Sequence, residues 1–331
     1  MNNAHPNLFD YATHELSQDA VLIWLLRYAD DRYQEDVALH DVAQKFVQML
    51  IDASNAPIHT VECWKQWESI DITANINGEF ALVLEDKAGA NLHGDQLKRY
   101  RASATKWANE ENLKLRFVYL NTENPNTDDR KNVMADGYRI ITRRDVLNVL
   151  EKYKGTNEIL LDYRNKLDVA EIETQSYLSL PVKDWSGRAW QGFYDWIHSL
   201  RPDSTWEWVN NRGGGFWGTW WGNHDNWIKD EVTLYCQIEQ GRFIFKMYGE
   251  TDKNRDWGYR LRDTIERVAN NMDVHEIQRP GRMSFSGYAT SLLVVECDDY
   301  LGTGIIDLCA IKERIEKYES IIAKTIEIVE Q

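Results

Sequence analysis

Residues 69–87 read SIDITANINGEFALVLEDK, and the fold of the N-terminal half turns on how this stretch pairs with itself. Ile70, Ile72, Ala74 and Ile76 alternate with Asp71, Thr73 and Asn75, the period-two pattern of a strand with one polar face. Asn77-Gly78 signals a hairpin turn, because both residue types tolerate positive φ. The return segment, Phe80 to Lys87, is apolar on both faces until its charged end, as in a strand buried within a sheet. Side chains two apart share a face, so Glu85 and Lys87 point the same way and Asp86 the other.

Loop parity decides whether Asp71 joins them. A two-residue turn pairs Ile76 with Glu79 and sets Asp71 against Leu84, on the wrong face. A three-residue loop with Gly78 left-handed sets Asp71 against Val83 instead, on the face of Glu85 and Lys87. The residue types at this strand end suit metal chemistry. Two carboxylates, with the backbone carbonyl of Asp86 close by, can hold a divalent cation, hard oxygen ligands suit Mg2+, and an ammonium can steer a water and a phosphate. Taken alone, the three residues are more commonly a solvated strand end with an ion pair.

Around this hairpin, helical and extended patterns alternate. Val21, Trp24, Leu25 and Tyr28 keep helix spacing after Ser17 and Asp19, and Leu39, Val42, Phe46 and Leu50 mark a second amphipathic helix. After the hairpin come a helix with Gln96, Tyr100 and Trp107, a buried strand from Leu115 to Leu120, a strand from Tyr138 to Thr142, and a helix from Asp145 to Tyr153. That order predicts an α/β core, a mixed sheet flanked by helices. Gln96 and Tyr100 are four apart and lie on one helix face, positioned to orient Lys87 or a phosphate. Lys98, Arg99, Arg101 and Lys106 make the same helix locally basic.

A helical stretch from Glu158 to Leu178 ends at Pro181, and we expect one domain over 1–181 and a second over 182–331. Nine of the 14 tryptophans fall between Trp185 and Trp227, interrupted by Gly213-Gly214-Gly215. The later segments read as a hairpin around Gln240-Gly241, a helix from Asp256 to Asn270, a strand from Ser291 to Cys297 and a long last helix from Ile305 to Val329, a Trp-rich α+β domain. The aromatic cluster has three readings: packed core, a stacking platform for exposed bases, or a sugar-binding surface. Asn223-His224-Asp225-Asn226 reads as a turn, and His93 as loop surface.

A chain of 331 residues with 43% hydrophobic and 27% charged residues can bury two proper cores. The net charge of −15 opposes indiscriminate binding to duplex nucleic acid, so contact with phosphates must be local. The cysteines Cys63, Cys236, Cys297 and Cys309 show no CxxC or zinc-site spacing, which points to reduced thiols. No signal peptide and no membrane-spanning run is visible, and a cytoplasmic protein is expected.

Glu15 with Ser17-Gln18-Asp19, then Asp71, Glu85-Asp86-Lys87 and Gln96-Leu97-Lys98-Arg99-Tyr100 together resemble the PD-(D/E)xK nuclease superfamily. The resemblance covers roughly residues 8–155. It is closest to a bacterial branch with ELSQDA, EDK and QLxRY motifs, and implies a restriction-endonuclease-like fold. It also implies a Mg2+-dependent phosphodiesterase, with Mn2+ as an alternative cofactor. Asp71 and Glu85 would hold the metal with Asp86 and Glu15 assisting, Lys87 would help activate the attacking water, and Gln96 and Tyr100 would complete the catalytic set. The implied partner is nucleic acid, DNA favoured over RNA, in a setting such as bacterial defence, and an oligomer is compatible with it. The chain departs from the family pattern at Ile70, where a proline stands in the literal motif, and at Ala88, where related chains often carry a hydroxyl. The competing reading is a non-catalytic protein that keeps the nuclease fold while its aromatic C-terminal domain, with a recognition or regulatory role, binds a partner or ligand.

Overall fold

The computed structural model describes residues 6–12, 15–87, 95–211, 213–223, 226–250 and 252–331, with Glu15 described by its backbone alone. The chain forms two compact units, Met1–Ile172 and Glu173–Gln331. The division falls inside a helix, ahead of Pro181.

The first unit begins with α1 (Glu15–Tyr28) and α2 (Val37–Ile51), the latter capped by Asp36, whose side chain accepts from the Leu39 amide. Three antiparallel strands follow: β1 (Val61–Trp67), β2 (Ile70–Ile76) and β3 (Phe80–Lys87). Then α3 (Gln96–Glu110) crosses to β4 (Lys114–Asn121), α4 (Thr127–Ala135) to β5 (Arg139–Thr142), and α5 (Arg143–Leu150) and α6 (Glu158–Gln175) close the unit. The sheet order is β1-β2-β3-β4-β5, with β3, β4 and β5 mutually parallel. The sheet is therefore mixed and flanked by helices, a restriction-endonuclease-like arrangement. Sequence periodicity did not mark β1, whose VECWKQW carries no clean alternation.

Every residue of β3 is buried, because β2 pairs on one side, β4 on the other, and helices cover both faces. On one face Leu82 and Leu84 join Ile72, Ala74 and Ile76 against α1 and α2. On the other, Val83 and Tyr119 pack with Leu97, Tyr100 and Ala104 of α3. A fully buried aliphatic side chain contributes about 1.5–3 kcal/mol by leaving water, so β3 anchors both layers.

The β2–β3 loop has three residues. Asn77 (φ 58°) and Gly78 (φ 62°) are left-handed, the Glu79 amide donates to the Ile76 carbonyl at 3.0 Å, and Phe80 faces Ile76. The parity is the one that keeps Asp71 on the face of Glu85 and Lys87, but the expected partner is corrected. Val83 faces Thr73, the paired register ends at Ile72↔Leu84, and Asp71 lies one residue beyond it, its Oδ2 accepting the Asp86 amide.

The second unit contains α7 (Gly187–Leu200), β6 (Thr205–Val209), β7 (Phe216–Trp221), β8 (Trp227–Ile228), β9 (Val232–Glu239), β10 (Arg242–Gly249), α8 (Asn254–Asn271), β11 (Ala289–Val295), α9 (Cys297–Tyr300) and α10 (Leu308–Glu330). Its sheet runs β11-β10-β9-β7-β6, with β8 also on β9, and residues of α7, α8 and α10 pack on one face, an α+β unit. Trp185, Trp190, Trp206 and Trp221 belong to that core. Gly215 adopts φ 111°, and a Cβ there would stand 2.8 Å from the Trp208 ring, so close approach explains this part of the triple glycine.

Leu84→Ala should lower the unfolding free energy by about 2–5 kcal/mol, as for other aliphatic truncations in closed cores. A denaturant melt showing less than about 1 kcal/mol of loss would contradict this packing.

Candidate functional site

Beyond Ile72↔Leu84 the two strands part, and the Asp71 carboxylate enters the gap, where its Oδ2 accepts the Asp86 amide at 3.0 Å. At the carboxyl end of β3, Lys87 Nζ stands 2.8 Å from Glu85 Oε1 and 3.9 Å from Asp71 Oδ2. The first turn of α3 adds Gln96, whose Nε2 donates to Glu85 Oε1 at 2.7 Å and to the Tyr100 hydroxyl at 2.8 Å. Gln96 therefore orients Glu85 rather than Lys87. Asp71, Glu85, Lys87, Gln96 and Tyr100 converge at the carboxyl ends of two parallel strands, a common place for sites in α/β sheets.

The electrostatics of this corner are unusual. Glu85 is 0% exposed and its Oε2 has no hydrogen-bond partner, whereas the Asp71 side chain keeps 23% exposure. Burial pushes the Glu85 carboxyl up to about 8, the nearby Asp71 charge pushes the same way, and Lys87 pulls back only part of the shift. Burial also raises the Tyr100 hydroxyl above its ordinary range.

Asp86 points away from this corner, as its place in the strand requires. Its Oδ1 accepts from Gln18 Nε2 of α1 at 2.7 Å, and Gln18 Oε1 in turn accepts from the Thr122 hydroxyl at 2.9 Å. Only the Asp86 backbone reaches the Asp71 side, so its carboxylate serves to tie α1 to the ends of β3 and β4. Glu15 begins α1, and its side chain lies outside the described residues, as do His93 and the His224-Asp225 pair. Two further residues went unmarked in the sequence. Tyr119 and Asn121 of β4 are register partners of Glu85 and Lys87, and Asn121 Nδ2 donates to the Tyr119 hydroxyl at 3.3 Å. Their signal was parity with Phe117 on a strand parallel to β3, visible only once that pairing is known.

A family model for the PD-(D/E)XK nuclease superfamily matches residues 6–186, more than half of the chain. The chain belongs to the PD-(D/E)XK nuclease superfamily. No curated protein and no solved structure matches it significantly. Superfamily membership makes nucleic acid the class of substrate and nuclease chemistry the coarse activity. It also brings an expectation of a divalent metal, against which the donors can be tested. Among the described residues no three His, Cys, Asp or Glu side chains gather as a metal site. The two that do meet, Asp71 and Glu85, supply hard oxygens, and one of those oxygens is buried without a partner. Mg2+ characteristically takes only one or two protein carboxylates and keeps several waters, so the donor set fits. No helix among the described residues is long and apolar enough to cross a membrane.

In this nuclease-superfamily site the raised Glu85 carboxyl has a consequence for stability. Between about pH 4.5, where the unfolded side chain titrates, and about pH 8, where the folded one does, the folded chain retains a proton that the unfolded chain releases. This group's contribution to stability therefore falls as pH rises through that window. Glu85→Gln should leave the melting temperature of chelator-treated protein near the wild-type value at pH 5 and raise it at pH 8.5. Equal differences at both pH values would show that Glu85 titrates normally.

Proposed function

We propose that the N-terminal unit hydrolyses phosphodiester bonds of nucleic acid with Mg2+ as cofactor, Mn2+ being able to replace it, and that DNA is the first substrate to test. The observation that carries this reading is the Glu85 carboxylate, fully buried with a bare Oε2 beside Asp71 and Lys87. A chain that hides a carboxylate in this way forgoes stability unless something else uses the oxygen. Asp71 and Glu85 would hold the cation, with the Asp86 carbonyl close by and Glu15 able to assist from the start of α1. A bound Mg2+ supplies Lewis-acid stabilisation of charge on the phosphoryl group.

The protein's own residues have separable roles in this proposal. Lys87 places its ammonium 2.8 Å from Glu85 and 3.9 Å from Asp71, where it would orient a water or a phosphate oxygen beside the two carboxyl groups. Gln96 fixes the Glu85 rotamer from one side and is itself fixed by the Tyr100 hydroxyl, so α3 limits the motion of the carboxylate. The basic residues of α3 are partly engaged already. Lys98 reaches Asp95 at 3.2 Å and Arg101 the Asp136 carbonyl at 2.7 Å, which leaves Arg99 and Lys106 as the better candidates for backbone phosphates. With a net charge of −15, productive binding should depend strongly on such local contacts and weaken with salt.

Cleavage of single-stranded DNA, duplex DNA and RNA should be assayed with Mg2+ and Mn2+ for wild type and for Asp71→Asn, Glu85→Gln and Lys87→Ala. Each substitution should reduce the rate by roughly 10²-fold or more, as removal of one preorganised charge does elsewhere. Calorimetry should show Mg2+ binding by wild type that an Asp71→Ala, Glu85→Ala double variant loses. Identical metal binding by the two proteins, with no cleavage of any substrate, would reject the enzyme in favour of a non-catalytic binding protein on the same fold.

A further inference from the structure

A second site lies on the C-terminal sheet, on the face opposite its helix-packed core. There a cleft of about 470 Å³ opens over β9, within the size range of small-molecule sites. Thr233, Tyr235 and Gln237 alternate along β9 and form its floor. Trp220 on β7 is paired with Gln237, and Trp227 on β8 with Thr233, so both indoles flank one side of that floor. Lys246 and Tyr248 of β10, paired with Tyr235 and Thr233, flank the other.

Two features separate this cleft from ordinary sheet surface. The first is a polar atom without a partner. Thr233 is 1% exposed, lines the cleft, and its Oγ1 makes no hydrogen bond. The second is the state of the rings. Trp185, Trp190, Trp206, Trp208, Trp217 and Trp221 each pack against another aromatic ring. Among the described residues Trp220 and Trp227 have no ring partner, although Trp227 keeps 41% exposure and an aromatic neighbour would shield it.

The charges restrict what can enter. Lys246 is the one cation among the described lining residues, and its Nζ donates to Glu239 at 3.1 Å. Gln237 Nε2 donates to the same Glu239 oxygen at 2.8 Å, and Glu207 adds a carboxylate to the rim. A phosphate would meet carboxylates and an ammonium already neutralised. A pyranose needs partners around its whole rim, whereas Gln237 and Lys246 are already bonded to Glu239 and the Tyr248 hydroxyl to Glu250. A hydrocarbon would leave the Thr233 hydroxyl bare. A flat, uncharged ring with a hydrogen-bonding edge satisfies both indoles and that hydroxyl.

We propose that this cleft binds an uncharged planar heteroaromatic ring of purine size, a nucleobase, stacked on Trp220 and Trp227 with its edge on Thr233 Oγ1. The base could arrive as a free nucleoside or as an unpaired base within a strand, and the probes separate the two. The full chain, in chelator so that no strand is cut, is titrated with adenosine, guanosine, adenosine 5′-monophosphate and a short single-stranded oligodeoxyadenylate, with tryptophan fluorescence and calorimetry as readouts. Saturable binding of a nucleoside is expected, with the monophosphate no tighter. Trp220→Ala and Thr233→Val should each weaken it roughly tenfold. Thr233→Val removes only an unpartnered hydroxyl and should not lower the melting temperature, which separates lost recognition from lost folding. Binding of the oligonucleotide alone, weakened by the same two substitutions, would assign the site to an unpaired base in a strand. Absence of binding by every probe, binding indifferent to both substitutions, or a monophosphate bound about tenfold tighter than adenosine would overturn the proposal.

Discussion

The N-terminal unit depends on the parity of one loop. Side chains along a strand alternate faces with a period of two, so a change of one residue between β2 and β3 moves a whole set of side chains through the sheet. With three loop residues, Ile72, Ala74 and Ile76 enter the core under α1 and α2, and Asp71 rises beside Glu85 and Lys87. Packing and site are thus set by the same register, and neither can change without the other. The loop is held to that length by more than its two left-handed residues. The Asn77 side chain accepts the amides of His59 and Thr60 and donates to the Pro57 carbonyl, and Asn75 Oδ1 accepts the Gly78 amide. Asparagine is required twice over at position 77, for its positive φ and for its amide group.

Once the register is set, β3 divides its charged end between two jobs. Glu85 and Lys87 face α3, while Asp86 faces α1 and is held there by Gln18, itself bonded to Thr122 past the end of β4. The EDK triplet is therefore not one cluster of three charges. One carboxylate is structural, and fastening α1 to the strand ends fixes the backbone from which Glu15 departs. The other is costly, since Glu85 is buried beside Asp71 with one oxygen unmatched. The surrounding strand, buried along its whole length, supplies the packing that tolerates this, the usual relation between a strained site and a rigid scaffold.

Much of this was legible in the sequence for definite reasons. β2, β3 and the helix of Gln96 and Tyr100 carry strong periodicity, so the elements could be reasoned out, whereas Asn77-Gly78 is compatible with a two-residue or a three-residue loop and left the parity open. The register could not be read either, because an odd loop permits more than one, and the structure adopts the one that pairs Ile76 with Phe80. β1 escaped notice because an edge strand with one buried end, burial confined to Val61, has little alternation to show. Tyr119 and Asn121 escaped because a parallel partner is chosen by tertiary packing and leaves no local mark. Gln96 was placed on the face of the site, but its bond to Glu85 was not foreseen: spacing on a helix fixes direction, but not which of two neighbours the amide meets.

The tryptophan cluster shows the same limit from the composition side. Its density left core and recognition readings open, and the strands divide the cluster. In β7, FWGTWW, Trp217 and Trp221 turn toward the helices while Trp220, one residue from Trp221, must turn away. In β6, TWEWV, Trp206 is fully buried and Trp208 packs on Trp217 at the margin. Adjacent tryptophans in a strand cannot both enter one core, so the pair 220–221 guarantees an aromatic on the far face. A count of aromatic residues cannot separate core from recognition surface. The period-two register can, and it assigns Trp220 to the face where an unpartnered hydroxyl is also found.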